Sequence, residues 1–474
     1  MAVPSPAAIS ELKQALGPKG WSDDADTLAP YLREWRDRWQ GHTPLLLQPA
    51  STAEVAAAVA ICARHRVAIT PQGGNTGLVG GQIPMGEVLL TTRRLRAVRD
   101  VSPLDDALTV EAGVTLYEAQ QAALAVDRRF PLSLASEGTA TIGGVLSTNA
   151  GGTSVLRYGM ARDLVLGIEA VMADGRVFNG LKRLRKDNTG YDLKQLLIGA
   201  EGTLGIITAA TLKLSPVLRG RATAIVGLET PRQAIALLAR AKAESGGGVE
   251  AFELMKRLGT ELVLKWIPDT REPLESAPPW SVLIELGSGD PDTASAALER
   301  LLAGAFEDGL IQDAAIAANQ TQAAAFWRLR EEQSAGLKPE GGGWKHDVSV
   351  PVSQIADFIE EASAAVEGFE AGARISVFGH VGDGNLHYDV LCPESADLKA
   401  FLGRWEAGSR IVHDIVARYD GSISAEHGLG RLKTDEARRY KSNVELDVMR
   451  AVRGALDPLG ILNPGVLFWR PATD

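Results

Sequence analysis

Five glycines fall between Gly73 and Gly81, in PQGGNTGLVGG, and the chain enters and leaves this loop through strand-like runs, Val67 to Thr70 before it and EVLLTT after it. That order excludes the commonest glycine-rich ligand folds. A Rossmann site needs Gly-x-Gly-x-x-Gly between a strand and a helix, and a P-loop ends in Gly-Lys-Ser/Thr. Neither pattern is present. Clustered glycines still let backbone N–H groups surround an anion such as a pyrophosphate. Taken alone, the stretch reads equally well as a flexible hairpin loop. Upstream, Ser51 followed by Glu54 predicts a capped helix start.

Two further turns of this kind follow, SEGTATIGGVLSTNAGGTSVLRYG (Ser136 to Gly159) and DNTGYDLKQLLIGAEGTLGIITAATLKLSP (Asp187 to Pro216), each set between apolar strand-like runs. Three such turns in one region imply a large ligand lying along exposed backbone. After Pro216 the pattern changes. ATAIVGL, SVLIELG, GWKHDVSV and ARISVFGHVGDGNLHYDVL read as strands, and helical segments alternate with them. This predicts an α+β sheet covered on one face. From about Leu398 the chain is largely helical, ending in LNPGVLF.

A chain of 474 residues exceeds what one core supports, so two or three domains are expected. The formal net charge of −10 argues against nucleic acid and anionic membranes as partners. Cys62 and Cys392 are far apart in sequence, which leaves neither a disulfide framework nor a thiolate metal site and fits a reducing compartment. The N-terminal MAVPSPAAISELKQ lacks a basic segment followed by an apolar core, and no apolar run approaches the ~20 residues needed to span a bilayer. A soluble, cytoplasmic protein is the expectation.

GHVGDGNLHYDV (Gly379 to Val390) and AEHG (Ala425 to Gly428) carry three of the seven histidines. His380, His387 and Glu426 would supply three ligands and leave a coordination position open, the layout of a catalytic zinc site. Ferrous iron or manganese suits the same set. The competing reading of the histidine pair is two side chains satisfied within a turn. Of the adjacent Glu426 and His427, the glutamate is the better ligand. His427 is then available as general base, its ordinary pKa of about 6.5 lying close to working pH. Asp383 reads as a turn residue or as an acceptor orienting an imidazole.

PQGGNTGLVGG, ATIGGVLSTNAGG, DNTGYDLKQLLIGAEGTLGII, GHVGDGNLH and AEHGLG together resemble the FAD-linked oxidases of the vanillyl-alcohol oxidase fold, in their D-2-hydroxyglutarate dehydrogenase branch. The motifs run in unbroken order from about residue 40 to the C-terminus. The resemblance implies a PCMH-type FAD-binding domain over residues 1–216 and an α+β, ferredoxin-like substrate-binding cap over 217–410. A helical segment, 411–474, would complete the active site. It implies FAD held by Pro71, Gly73, Gly74, Asn75, Thr76, Gly77 and Leu78, by Gly138, Thr139, Gly143, Gly144, Ser147, Asn149 and Gly152, and by Glu201, Gly202, Ile207 and Asn463. The first turn contains no histidine or cysteine to tether a flavin, so noncovalent FAD is expected.

The same resemblance matches His380, His387 and Glu426 to zinc ligands and His427 to the active-site base that also touches substrate. Arg330, Ser334 and Lys345 match a pocket for a distal carboxylate, Ser334 standing where the family has Thr. Arg330 and Ser334 are four apart on an expected helix and would share a face. Asp389 stands where relatives carry Asn, and an ionised Asp would repel a substrate carboxylate. The implied reaction is oxidation of D-2-hydroxyglutarate, with D-malate as a second diacid, electrons leaving FAD to an electron-transfer flavoprotein or quinone-linked carrier. A homodimer is the oligomer carried forward. A D-lactate or glycolate dehydrogenase and a non-redox FAD-binding protein are the alternatives.

Overall fold

The computed structural model describes residues 4–467. The chain divides into two compact units. The first comprises residues 1–152, 159–217 and 426–474, the second 153–158 and 218–425. The second unit thus runs past the 410/411 boundary expected from sequence. The helix Trp405–Arg418 spans that point, and its Gly408 and Ser409 pack on the strand Gly343–Ser349. A Cβ at Gly408 would lie 2.3 Å from the Trp344 ring, so only glycine admits this approach.

In the first unit, Leu46–Leu47, Val88–Thr91 and Ile69–Gln72 lie side by side in parallel, with Trp21–Ser22 antiparallel at one edge. Every residue of the central Val88–Thr91 is buried, as a strand covered on both faces requires. The helix Thr52–His65 packs against them through Val55, Val59 and Cys62, joined by Ile461 and Leu462 from the returning C-terminal segment. Its start is capped as expected: Ser51 Oγ accepts Glu54 N–H at 3.2 Å. Glu54 reaches back one residue further than a standard box, to Ala50 N–H at 2.7 Å. A second, five-stranded antiparallel sheet has the order Val98–Ser102, Ala107–Glu111, Ile206–Lys213, Val165–Val171, Val177–Asn179.

The second unit is built on one seven-stranded sheet, antiparallel throughout, in the order Asp313–Ile316, Gly220–Leu228, Trp280–Ser288, Val249–Lys256, Arg374–His380, Asn385–Leu391, Gly343–Ser349. The sheet is covered on both faces, not on one. On the first face, Ile225, Leu283, Met255 and Phe378 meet the helices Arg257–Trp266, Gln320–Glu331 and Gln333–Leu337. On the second, Phe358 of Ile355–Phe369 packs edge-on against Tyr388, and Ser409 Oγ bonds His346 Nε2 at 3.1 Å. The physical reason is visible in strands such as Trp280–Ser288, where residues of both parities are buried, Val282, Ile284 and Leu286 on one face and Leu283 with the hydrogen-bonded Glu285 on the other.

Candidate active site and cofactor cradle

Three glycine-rich turns meet inside the first unit. A Cβ on Gly73 would lie 2.2 Å from Thr141 Oγ1, and one on Gly74 would lie 2.0 Å from Thr139 O, so the first turn is in contact with the second. The third approaches the first: a Cβ on Gly202 would lie 2.4 Å from Pro71. Glu201, held at φ +48°, donates its N–H to Ser147 O at 2.8 Å and so joins the third turn to the helix Ile142–Thr148. Arg93 donates to the carbonyls of Gly73 (3.1 Å) and Gly74 (3.0 Å), fixing how those peptides face. Asn75, at φ +60°, ties the loop to Pro30 O and Arg33 O through Nδ2. Ile207 lies in a buried strand paired with Ala170.

The C-terminal segment returns to this point. Leu462 bridges Ile69 in parallel, and Asn463 Nδ2 donates to Gly81 O (3.0 Å) and Glu201 O (2.7 Å), joining the first and third turns. Of the residues expected to hold the cofactor, these contacts bring together Pro71, Gly73, Gly74, Thr139, Ser147, Glu201, Gly202 and Asn463. Several buried polar atoms around these turns, Thr70 Oγ1, Asn75 Oδ1, Thr141 Oγ1 and Asn463 Oδ1, make no hydrogen bond among the described residues. A buried polar atom left this way costs about 1–3 kcal/mol. A cradle of glycine backbone lined by such atoms fits a polar, elongated ligand of the FAD type.

Glu201 also anchors the AEHG turn. Its Oε1 and Oε2 accept Leu429 and Gly430 N–H, each at 2.9 Å. Burial pushes its carboxyl up to about 7, against the pull of those two N–H groups and of Lys433. The turn carries Glu426 and His427, whose Oε1 and Nε2 are 3.8 Å apart, and Glu426 Oε2 accepts Gly152 N–H at 3.3 Å.

In the second unit the strand residues expected at the site share one face of the sheet because of strand register. Glu253 lies opposite His380, Phe378 opposite His387, His387 opposite Asp347, and Asp389 opposite both Ser376 and Lys345. Directly opposed residues point to the same side. The His380 and His387 rings lie 6.1 Å apart, and Asp347 and His387 bring potential ligand atoms within 4.8 Å of one another. Glu253 Oε1 accepts from His380 Nδ1 at 2.8 Å and Oε2 accepts from Arg330 Nε at 2.8 Å. Burial raises the Glu253 carboxyl, but the charge and hydrogen bonds of His380 and Arg330 outweigh it and hold it down to about 2. An ionised Glu253 is acceptor-only, so Nδ1 of His380 carries the hydrogen of this bond.

The anion pocket expected from sequence is partly rearranged. Arg330 is buried above Phe378, its guanidinium carbon 5.1 Å from the ring centroid, and Lys345 Nζ lies 3.5 Å from Asp389 Oδ2. Ser334 does not share a helix with Arg330. The helix stops at Glu331, Glu332 adopts φ −82°, ψ 4°, and Ser334 belongs to the short helix Gln333–Leu337. Asp383 Oδ1 accepts Asn385 N–H at 3.0 Å, the turn role.

Sequence reasoning missed Asp347 and Glu253. Asp347 is two residues after Lys345 on one strand, so alternation alone puts both on one face. Glu253 was signalled by a lone carboxylate inside the apolar AFELM run. At the end of the second unit Ser349 and Ser422 exchange hydrogen bonds, and Ala425 donates to Asp347 O at 3.3 Å.

Comparison with known proteins places these features. Residues 218–467 match the model of the FAD linked oxidases, C-terminal domain, and residues 43–180 that of the FAD binding domain. The chain is 37% identical, over 96% of its length and 80% of the relative's, to "Probable D-2-hydroxyglutarate dehydrogenase, mitochondrial" of Oryza sativa subsp. indica. It is 36% identical, with the same coverage, to "D-2-hydroxyglutarate dehydrogenase, mitochondrial" of Arabidopsis thaliana. In fold it is similar to the solved 4-ethylphenol oxidase from Gulosibacter chungangensis, with a TM-score of 0.76, 18% identity, and coverage of 98% of this chain and 99% of that one. The names of these two plant relatives, and of those from Danio rerio and Bos taurus, correct the expectation of a cytoplasmic protein: they point to mitochondria. Among the described residues no helix is long and apolar enough to cross a membrane.

Proposed function

The chain belongs to the FAD-linked oxidases, in the family of the D-2-hydroxyglutarate dehydrogenases, and from that premise we propose how its residues divide the work of oxidising D-2-hydroxyglutarate to 2-oxoglutarate. The carrying observation is the cross-strand row that aligns Glu253 with His380 and Asp347 with His387 on one sheet face. Burying this many charged groups side by side costs free energy that packing alone does not repay, which supports reading the row as a chemical site.

FAD is held noncovalently by the three glycine turns and Asn463, and a divalent cation, Zn2+ first with Mn2+ and Fe2+ compatible, by His380, His387 and Glu426. When bound, FAD supplies the two-electron oxidant for the substrate C–H bond, and the cation supplies a Lewis acid for the hydroxyl oxygen. The chain's own residues supply orientation and proton transfer. His380 offers Nε2 outward because Nδ1 is committed to Glu253. His427 takes the hydroxyl proton at Nε2. The terminal nitrogens of Arg330 receive the distal carboxylate, with Lys345 and the Ser334 hydroxyl beside it. An electron-transfer flavoprotein or quinone-linked carrier would serve as the external acceptor.

A second reading has a specific observation in its favour. Arg330 is bonded to Glu253 and Lys345 is paired with Asp389, so each cation of the distal pocket already faces a carboxylate. Such compensation weakens the preference for a diacid and favours D-lactate or another monoacid. Steady-state oxidation of D- and L-2-hydroxyglutarate, D-malate and D-lactate with an artificial dye acceptor decides between the two. Turnover of the D-diacids with little lactate activity supports the first reading. The reverse order supports the second, and turnover of none removes both.

A further inference from the structure

Glu253 sits mid-strand in VEAFELMK with 1% of its side chain exposed, a position that apolar packing alone would fill with an aliphatic residue. A carboxylate is retained there only if donors compensate its desolvation, and both of its oxygens are engaged. One accepts the imidazole of His380, the other the guanidinium of Arg330, each at 2.8 Å. These two donors come from different elements, the strand Arg374–His380 and the helix Gln320–Glu331, and the roles proposed for them are different.

We propose that Glu253 is a positioning residue that orients His380 as a metal ligand and Arg330 as a substrate-binding group through the two oxygens of one carboxylate. This rests on the metal and pocket roles given above. A hydrogen bond at Nδ1 fixes the imidazole tautomer and ring plane and raises the basicity of Nε2. A bond to Nε fixes the plane of the whole guanidinium fork, since that group is rigid and planar, while its carbon lies over Phe378, and so sets the direction of its two terminal nitrogens. The carboxylate is held in turn by its cross-strand position opposite His380. A glutamine at 253 keeps the shape but offers one acceptor oxygen and presents its NH2 to the other donor. With its oxygen turned to His380 the bond to Arg330 is lost; with its oxygen turned to Arg330 the NH2 faces His380 Nδ1, which either loses its bond or accepts in the tautomer that carries its hydrogen on Nε2, the wrong form for a metal ligand.

The test is titration of metal-free, FAD-loaded protein with Co2+, followed by the visible absorbance of the bound ion, for wild type, E253Q, E253D and a H387A control. The KM and kcat for D-2-hydroxyglutarate and for D-lactate are measured on the same preparations. The expected result is Co2+ binding weakened about 10- to 100-fold in E253Q, with bound FAD unchanged and KM for the diacid raised more than KM for lactate. E253D keeps the charge but withdraws it by one methylene, and is expected to show the same pattern more weakly. It carries the test if E253Q does not fold. Wild-type Co2+ affinity in a folded E253Q or E253D overturns the proposal while leaving the metal centre in place. Co2+ uptake that is equal in wild type and H387A overturns the metal centre itself, and the role of Glu253 with it.

Discussion

Lys345 Nζ lies 3.5 Å from Asp389 Oδ2, the two residues directly opposite on paired strands and turned to the same sheet face. The Asp389 side chain is 4% exposed, so its pairing with Lys345 is little screened, and on the proposed pocket it competes with the substrate carboxylate for that lysine. Asp389→Asn should release Lys345 towards the substrate. The KM for D-2-hydroxyglutarate is expected to fall about tenfold, corresponding to about 1.4 kcal/mol of charge-assisted hydrogen bonding, with the KM for D-lactate nearly unchanged. Equal shifts for both substrates would place Asp389 outside the distal pocket.

His427→Ala should slow flavin reduction by about 100- to 10,000-fold, the usual contribution of a positioned general base. Bound FAD and bound metal should stay at wild-type levels. Flavin reduction at the wild-type rate in the variant would assign the base elsewhere.

Glu201 gives a pH prediction of definite sign. Burial raises its carboxyl from 4.5 to about 7 in the folded chain, so between those values the native state holds a proton that the unfolded chain has lost. Its contribution makes stability fall as pH rises through that window, by up to about 3 kcal/mol, and level off above it. Glu201→Gln should have lower stability near about pH 5, since one of the Leu429 and Gly430 N–H groups loses its acceptor. The difference in thermal midpoint between about pH 5 and about pH 8 should narrow in the variant. An unchanged difference would assign that pH dependence to other groups.

Asn463 donates to Gly81 O and Glu201 O, carbonyls that belong to two different turns of the cradle. Asn463→Ala leaves both buried carbonyls without this donor, at about 1–3 kcal/mol each, and loosens the turns relative to one another. FAD retention through desalting is expected to drop about tenfold or more, while metal uptake by the folded protein is unaffected. FAD retained at the wild-type level would limit Asn463 to a structural role.

The parts of this site legible in the sequence were those where chemistry and glycine coincide. Gly73, Gly74 and Gly202 stand where a Cβ would collide with a neighbouring turn, and His380 and His387 flank a glycine turn between two strands. Glu253 and Asp347 were not found, because each reaches the site through strand pairing with residues distant in sequence, and local patterning shows a face without showing what is opposite it. The break at Glu332 was hidden for another reason. EEQSA contains neither Gly nor Pro, so nothing local argues against a continuous helix, and the interruption comes from tertiary packing. The second covered face of the sheet followed the same logic, since a strand's sequence does not say how many helices cover it.

The most direct test of the account is anaerobic mixing of FAD-loaded protein with D-2-hydroxyglutarate, following the oxidised flavin absorbance, before and after removal of metal by a chelator and again after Zn2+ is restored. The account predicts rapid bleaching by the D-enantiomer, its loss with the metal, and its return with Zn2+. Bleaching that proceeds unchanged in the metal-free protein would contradict the role given to His380, His387 and Glu426.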